Sequence, residues 1–150
     1  MAQVSIVVGS VYGTASFVGE ELQVALEAAG HAVTLSEPAA IEAVTARGLE
    51  VLIAVSSTTG AGDLPENIAP FFTALVDQWP RIDHLKFAVV GLGDTTFGDT
   101  FNGAAITLDR QLAEMGAQRL AEPLLLDACE TVNPEEDAVP WVIDLLAAAD

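Results

Sequence analysis

VSIVVGSVYGTASFVGEELQVALEAAG, residues 4–30, opens on an apolar run from Val4 to Val8 that is rich in Val and Ile. It lacks clean alternation, the pattern of a strand covered on both faces. The loop GSVYGTA, residues 9–15, follows, and then Ala15, Val18, Leu22, Leu26 and Ala29 recur at helical spacing until Gly30 supplies a stop. The same strand, loop and helix order returns at Val51 to Val55, whose helix is expected to bury Ile68, Phe72, Leu75 and Trp79. Asp63 is its expected cap, Pro65 suits its first turn and Pro80 ends it. It returns again at Phe87 to Leu92, followed by Ala105, Leu108, Leu112 and Met115, with Gly116 after them. Ala32 to Leu35 and Leu120 to Leu126 read as two further strands, and a closing helix with Trp141, Val142, Leu145 and Leu146 is expected to begin near Pro140. Strands alternating with helices imply an α/β chain with one doubly wound parallel sheet of five strands, because parallel neighbours need crossover connections.

The 150 residues fit one domain, 1–150. Five Lys+Arg against 22 Asp+Glu give a formal net charge of −17. That balance argues against nucleic acid, which needs a basic footprint, and against an anionic membrane surface, which recruits Lys and Arg. Apolar residues make up 51% of the chain and mean hydropathy is +0.44, enough for a packed core and contrary to charge-driven disorder. Cys129 is the one cysteine, so no internal disulfide forms, which fits a reducing cytoplasm. The start, MAQVSIVVGS, has no positive region of a secretory signal, and no stretch reaches the roughly 18 apolar residues of a spanning helix. The expectation is an acidic cytoplasmic monomer.

Ligands of such sheets bind beyond the carboxyl ends of the strands, near the point where strand order reverses. The loops to search are therefore 9–15, 56–63 and 92–102. In the first, Gly9 and Gly13 permit a tight turn, and Ser10 and Thr14 offer hydroxyls where free amide hydrogens and a helix dipole favour a phosphate. No G-x-x-x-x-G-K-[ST] or G-x-G-x-x-G pattern is present, and the loop is equally readable as an ordinary capped turn. In the second, SSTTGAGDLPEN, Gly60 and Gly62 accept backbone conformations that other residues resist, while Ser57, Thr58 and Thr59 offer polar groups; a plain glycine turn is the alternative. In the third, GLGDTTFGDTFNGA, Phe97 is the candidate for stacking on a planar ligand, whereas Phe101, adjoining the helix, reads as a core residue. A ligand with a phosphate tail and a flat ring matches all three loops.

In this order and over the whole chain, GSVYGTA, SSTTGAGDLPEN and GLGDTTFGDTFNGA resemble the phosphate, middle and aromatic loops of the flavodoxin family. STTGAGDLPEN followed by Phe71 and Phe72 is most similar to the short flavodoxins of the MioC type, and the set also resembles the FMN domains of diflavin reductases. The resemblance implies strand order 2-1-3-4-5 with helices on both faces, and FMN as a non-covalent cofactor. It implies phosphate contacts from Ser10, Val11, Tyr12, Gly13, Thr14 and Ala15, and ring contacts from Ser57, Thr58, Thr59, Gly60 and Gly62. Leu92, Gly93, Asp94, Phe97, Phe101 and Asn102 are implied contacts on the other side, with Asp127 a further acidic one. Phe97 matches the family's stacking tyrosine without its hydroxyl, and Gly60 the residue whose carbonyl turns toward flavin N5 on one-electron reduction.

Three departures stand out. Tyr12 replaces a phosphate-binding threonine, Thr59 replaces a second aromatic, and the third loop is one residue longer near Gly98 than in the diflavin domains. A lost stacking partner is worth about 0.5–1.5 kcal/mol beyond its buried area.

The implied function is one-electron transfer, with a basic-surfaced NAD(P)H-dependent flavodoxin reductase as donor and a metabolic redox enzyme as acceptor. Acidic residues (Asp63, Asp99, Glu130, Glu135, Glu136, Asp137) are expected to lower the second one-electron potential and steer basic partners, though solubility explains most of them singly. One rival is an FMN-dependent NAD(P)H or quinone oxidoreductase. No second nucleotide domain and no nucleophile or acid–base constellation favours it, His31 and His84 reading as surface residues. The other rival is a flavodoxin-like binding module that has lost FMN. A receiver-like phosphoacceptor fits poorly, because the first strand ends in Val8, Gly9 and Ser10 rather than in acids. Two distant histidines and one cysteine make no metal site.

Overall fold

A computed structural model describes residues 2–10, 13–58, 63–93, 102–127 and 133–149. The elements run β1 (Gln3–Gly9), α1 (Thr14–Ala28), β2 (Ala32–Ser36), α2 (Glu42–Thr45), β3 (Val51–Ser57), α3 (Ala69–Gln78), β4 (Lys86–Gly93), α4 (Gly103–Glu114), β5 (Gln118–Arg119), β6 (Leu124–Asp127) and α5 (Pro134–Ala149). All strand pairs are parallel, in the order β2-β1-β3-β4, with β5 and β6 both on β4. This is the expected 2-1-3-4-5 sheet, its fifth position filled by two pieces. The single strand expected over 120–126 is broken because Pro123 has no N–H to give the ladder.

Alternation along the strands divides the core into two layers. Val4, Ile6, Val8, Ile53, Val55 and Val90 pack under α1 and α5, with Val18, Leu22, Leu26, Val142 and Leu146. Val7, Leu52, Ala54, Phe87 and Val89 face the other way, against Ile68, Phe71, Leu75, Leu108 and Leu112. β1, β3 and β4 are buried almost throughout, which is why their sequences are continuous apolar runs.

Both glycine stops act as expected. Gly30 and Gly116 have φ of 99° and 91°. After α1, His31 N donates to Leu26 O and Gly30 N to Glu27 O; after α4, Ala117 N donates to Leu112 O and Gly116 N to Ala113 O. These paired bonds satisfy carbonyls that a helix end leaves open.

Four expectations are corrected. α3 begins at Ala69, with Pro70 at its head: Ala69 N bonds Pro65 O one turn back, but Pro70 has no N–H to carry the ladder on to Glu66 O, so Pro65 stays in a turn ahead of the helix, and Asp63 lies farther ahead still. Its buried residues are Phe71 and Leu75, with Phe72 only partly covered and Trp79 half exposed in a left-handed C-cap. α5 begins at Pro134 rather than Pro140: Pro134 suits a first turn, Glu135, Glu136 and Asp137 complement the positive helix end, and Pro140 is carried inside. In α1, Ala29 is the exposed C-cap, and Gly19 joins the buried face instead.

One ion pair ties α4 to the fifth strand position. Arg119 Nε donates to Asp109 Oδ1 at 3.0 Å, and its terminal nitrogen to Oδ2 at 2.6 Å. Asp109 is 7% exposed at the side chain and Arg119 35%, so the carboxylate depends on the guanidinium more than the reverse. The Asp109 bonds hold the Arg119 pKa above its ordinary value against a smaller opposing effect of burial, with the charges of Asp109 and Glu122 adding. A folded pKa above the unfolded one contributes stability that is present at every pH below the unfolded value and fades only as strong alkali titrates the folded form. Arg119→Ala is therefore expected to lower stability by about 1–3 kcal/mol, mainly by leaving Asp109 buried without its partner. Arg119→Lys should restore only part, since an ammonium cannot form the two-pronged contact. Urea melts at neutral pH check both.

Candidate functional site

Because all strands run the same way, their last residues form one rim. Gly9 registers with Ser56, Ser57 with Leu92, and Gly93 with Asp127. Ser10, Ser57, Thr58, Leu92, Gly93 and Asp127 thus lie at or just beyond adjacent strand ends, with Gly13, Thr14 and Ala15 at the head of α1 and Asn102 at the head of α4. Val11, Tyr12, Thr59, Gly60, Gly62, Asp94, Phe97 and Phe101 lie outside the described residues.

At the end of β1, Gly13 takes φ 91°, and its N–H donates to Ser10 Oγ at 2.8 Å. That leaves the Ser10 hydroxyl hydrogen to donate elsewhere. Among the described residues, the first α1 amide with a carbonyl one turn back is that of Phe17, on Gly13 O at 3.0 Å. The amides of Thr14, Ala15 and Ser16 precede it, at the positive end of the helix dipole, with no acidic residue in that turn. Hydroxyls and helix amides without a cation are a donor set for a phosphate. One expected donor is otherwise engaged: Ser10 N–H points to Asn67 Oδ1 at 2.9 Å. The Ala15 side chain is fully buried, so only its amide belongs to the rim.

At the end of β3, Thr58 Oγ1 accepts from Ala104 N at 3.2 Å, capping α4 from another loop. Asn102, the N-cap residue itself, makes no side-chain cap bond. It is fully buried at φ 54°, and Nδ2 donates to Leu126 O at 3.4 Å. Its Oδ1 has no hydrogen-bond partner among the described residues. Gly91 and Gly93 make room for it: a Cβ at either would stand 2.7 or 2.9 Å from Oδ1. A buried acceptor left unpaired costs about 1–3 kcal/mol. The residues present therefore fit FMN, with phosphate donors at α1 and an orphaned acceptor beside the β4 rim. The Leu92 side chain belongs to the core under α1 and α5, and Asp127 is buried at the end of β6.

Three residues of the neighbourhood escape a reading of the sequence. Asn67 Nδ2 donates to Glu37 Oε2 at 3.1 Å, Ser16 Oγ donates to the same oxygen, and Ala39 N donates to Asn67 O at 2.9 Å. Asn67 stands at the end of the second loop, before an apolar residue, which is the one signal it carries. His31 and His84 lie at the opposite, amino end of the strands, where His31 Nδ1 accepts from Ala2 N at 3.0 Å. Among the described residues no helix is long and apolar enough to cross a membrane.

The family profile described as Flavodoxin matches residues 6–141. The chain is 41% identical to an uncharacterised protein of Pseudomonas aeruginosa, with 97% of each chain covered. It is 37% identical to flavodoxin YqcA and 35% identical to protein MioC, both of Escherichia coli K12, with 95% of each covered. Its fold superposes on a cysteine-to-serine mutant of flavodoxin from Pseudomonas aeruginosa with a TM-score of 0.90, 41% identity and 97% of each chain covered. By these matches and by the sheet order, the chain belongs to the flavodoxin family, in its short-chain MioC type, with FMN as its cofactor.

Proposed function

We propose that this FMN electron carrier takes electrons from a basic-surfaced NAD(P)H-dependent reductase and delivers them to an acceptor redox enzyme, acting as a cytoplasmic monomer with one domain over 1–150. FMN supplies the exchange of single electrons; the chain supplies binding, orientation and field. The β1/β3 switch point is where ligands of this sheet order bind, and flavodoxins are themselves the standard instance of that rule. In this reading Ser10 to Ala15 hold the phosphate, with the Ser10 hydroxyl and the amides of Thr14 and Ala15 as donors. The 57–62 and 92–102 segments flank the ring, Phe97 stacks on it, and Asp127 adds negative charge nearby. The lone Cys129, without an internal disulfide partner, supports the cytoplasmic assignment.

The observation that carries the partner reading is the segregation of charge. Arg47 and Arg81 fall in connections that lead into strands, Lys86 begins β4 and Arg119 lies in β5, all at the amino end; Arg110 is in α4. The connections that leave the strands contain no Lys or Arg in sequence, and they carry Glu37, Asp63, Glu66, Asp94, Asp99 and Glu130. Among the described residues that end carries Glu37, Asp63 and Glu66 and no Lys or Arg, a field that attracts a basic partner to the end where the rim lies. Stopped-flow electron transfer from a basic reductase should show an association rate that falls about tenfold or more from low salt to 0.5 M. A flat salt profile would remove the steering claim. Continuous NAD(P)H consumption by the isolated protein would favour the oxidoreductase instead.

A further inference from the structure

The hydrogen bonds around Asn67 join three separate connections at the acidic end. Its Oδ1 accepts from Ser10 N in the β1–α1 loop, its Nδ2 donates to Glu37 after β2, and its own carbonyl accepts from Ala39 N. Glu37 Oε2 also receives the hydroxyl of Ser16, in the first turn of α1. The circuit therefore begins on the expected phosphate loop, at Ser10, passes through Asn67 and Glu37, and ends in the first turn of the helix that follows that loop, at Ser16. The two side-chain partners agree on one orientation of the carboxamide: an amide donor demands Oδ1, and a carboxylate demands Nδ2. With Ser10 N–H held by Asn67, the Ser10 side chain is left to receive Gly13 N–H and to present its remaining hydrogen. A hydroxyl that accepts one bond donates more strongly to the next. Next to Asn67, Ile68 reinforces the bracket: a Cβ on Gly9 would stand 2.5 Å from Ile68 Cγ2, so the chain just ahead of Ser10 already lies against this segment.

We infer that Asn67 is a positioning residue for the FMN phosphate, holding the β1–α1 loop in the shape that aims the Ser10 hydroxyl and the α1 amides at it, with Glu37 fixing the Asn67 carboxamide in turn. The inference rests on the phosphate assignment made above. Its signature is selective: a residue acting through the phosphate loop affects FMN and leaves riboflavin, which has the same ring and no phosphate, unaffected. Glu37 contributes as an acceptor, so its charge is dispensable where its oxygen is not.

The test is titration of the full-length apoprotein with FMN and, separately, with riboflavin, followed by flavin fluorescence. Asn67→Ala should weaken FMN roughly five- to tenfold, the worth of about one hydrogen bond, with riboflavin affinity within twofold of the unaltered protein. Asn67→Asp should weaken FMN at least as much, since it sets a carboxylate against Glu37, and Glu37→Gln should keep FMN affinity within twofold because its carbonyl oxygen still accepts. Faster exchange of the Ser10 amide hydrogen in Glu37→Ala gives a second reading should Asn67→Ala fold poorly. Equal weakening of FMN and riboflavin, or no change in either, would overturn the role of Asn67. An unaltered protein that binds FMN no more tightly than riboflavin would instead overturn the phosphate assignment beneath it.

Discussion

Phe71→Ala is expected to cost about 3–5 kcal/mol of stability, the range for truncating a fully buried aromatic, while Phe72→Ala costs markedly less. Phe71 is 1% exposed and packs with Ile68, Leu75, Ile82 and Leu85 in the layer beneath α3 and α4. Phe72 lies against the same cluster from its margin and keeps part of its ring in water. Truncation at Phe71 removes both the transfer free energy of the ring and the contacts of the atoms that lined it, because neighbouring strands relax only partly. Against a total of about 5–15 kcal/mol for a domain, that loss is large enough to leave a substantial unfolded fraction at growth temperature. Paired urea melts decide it. Equal losses at the two positions would mean that α3 is seated with both rings sharing the core.

Gly91→Ala should cost about 1–3 kcal/mol, the usual penalty of overpacking a tight site, and should weaken FMN binding as well. The added Cβ would stand 2.6 Å from Ala105 Cβ and 2.7 Å from Asn102 Oδ1, closer than such atoms approach. Ala105 is in the first turn of α4 and Asn102 is its N-cap residue, so the head of the helix must move away from β4. The same movement pulls Ala104 N from Thr58 Oγ1 and Asn102 from Leu126 O, bonds that tie this helix to the rim. Stability and FMN affinity should therefore fall together. A variant as stable as the original would show that α4 has slack against the sheet.

The three central strands were legible because burial on both faces writes itself as uninterrupted apolar sequence, and Val4 to Val8, Val51 to Val55 and Phe87 to Leu92 all lie within observed strands. The helix stops at Gly30 and Gly116 were legible because a left-handed residue is a local demand that glycine answers. Phe71 and Phe72 were not separable, since two adjacent rings have equal hydropathy and only the docking of α3 chooses between them. Pro140 misled because proline marks helix starts more often than helix interiors, and here Pro134 had already taken the start. The short α2, Glu42–Thr45, offers too few residues for a periodic pattern. At the rim, residues with loop signatures were singled out by type. Asn67 and Glu37 were not, because their bonds close over 57 and 30 positions, and nothing in a local pattern records such a pairing.

The break between β5 and β6 has a consequence for how the molecule survives in a crowded solution. A long outer strand with its amides free invites another chain to lengthen the sheet, and such additions end in aggregates. Here the outermost position beyond β4 offers only Gln118–Arg119 and Leu124–Asp127, separated by a segment that includes Pro123. A foreign strand laid along that side would find two short footholds and no continuous ladder. A protein that must meet partners repeatedly and release them each time gains from having a flank on which nothing can settle.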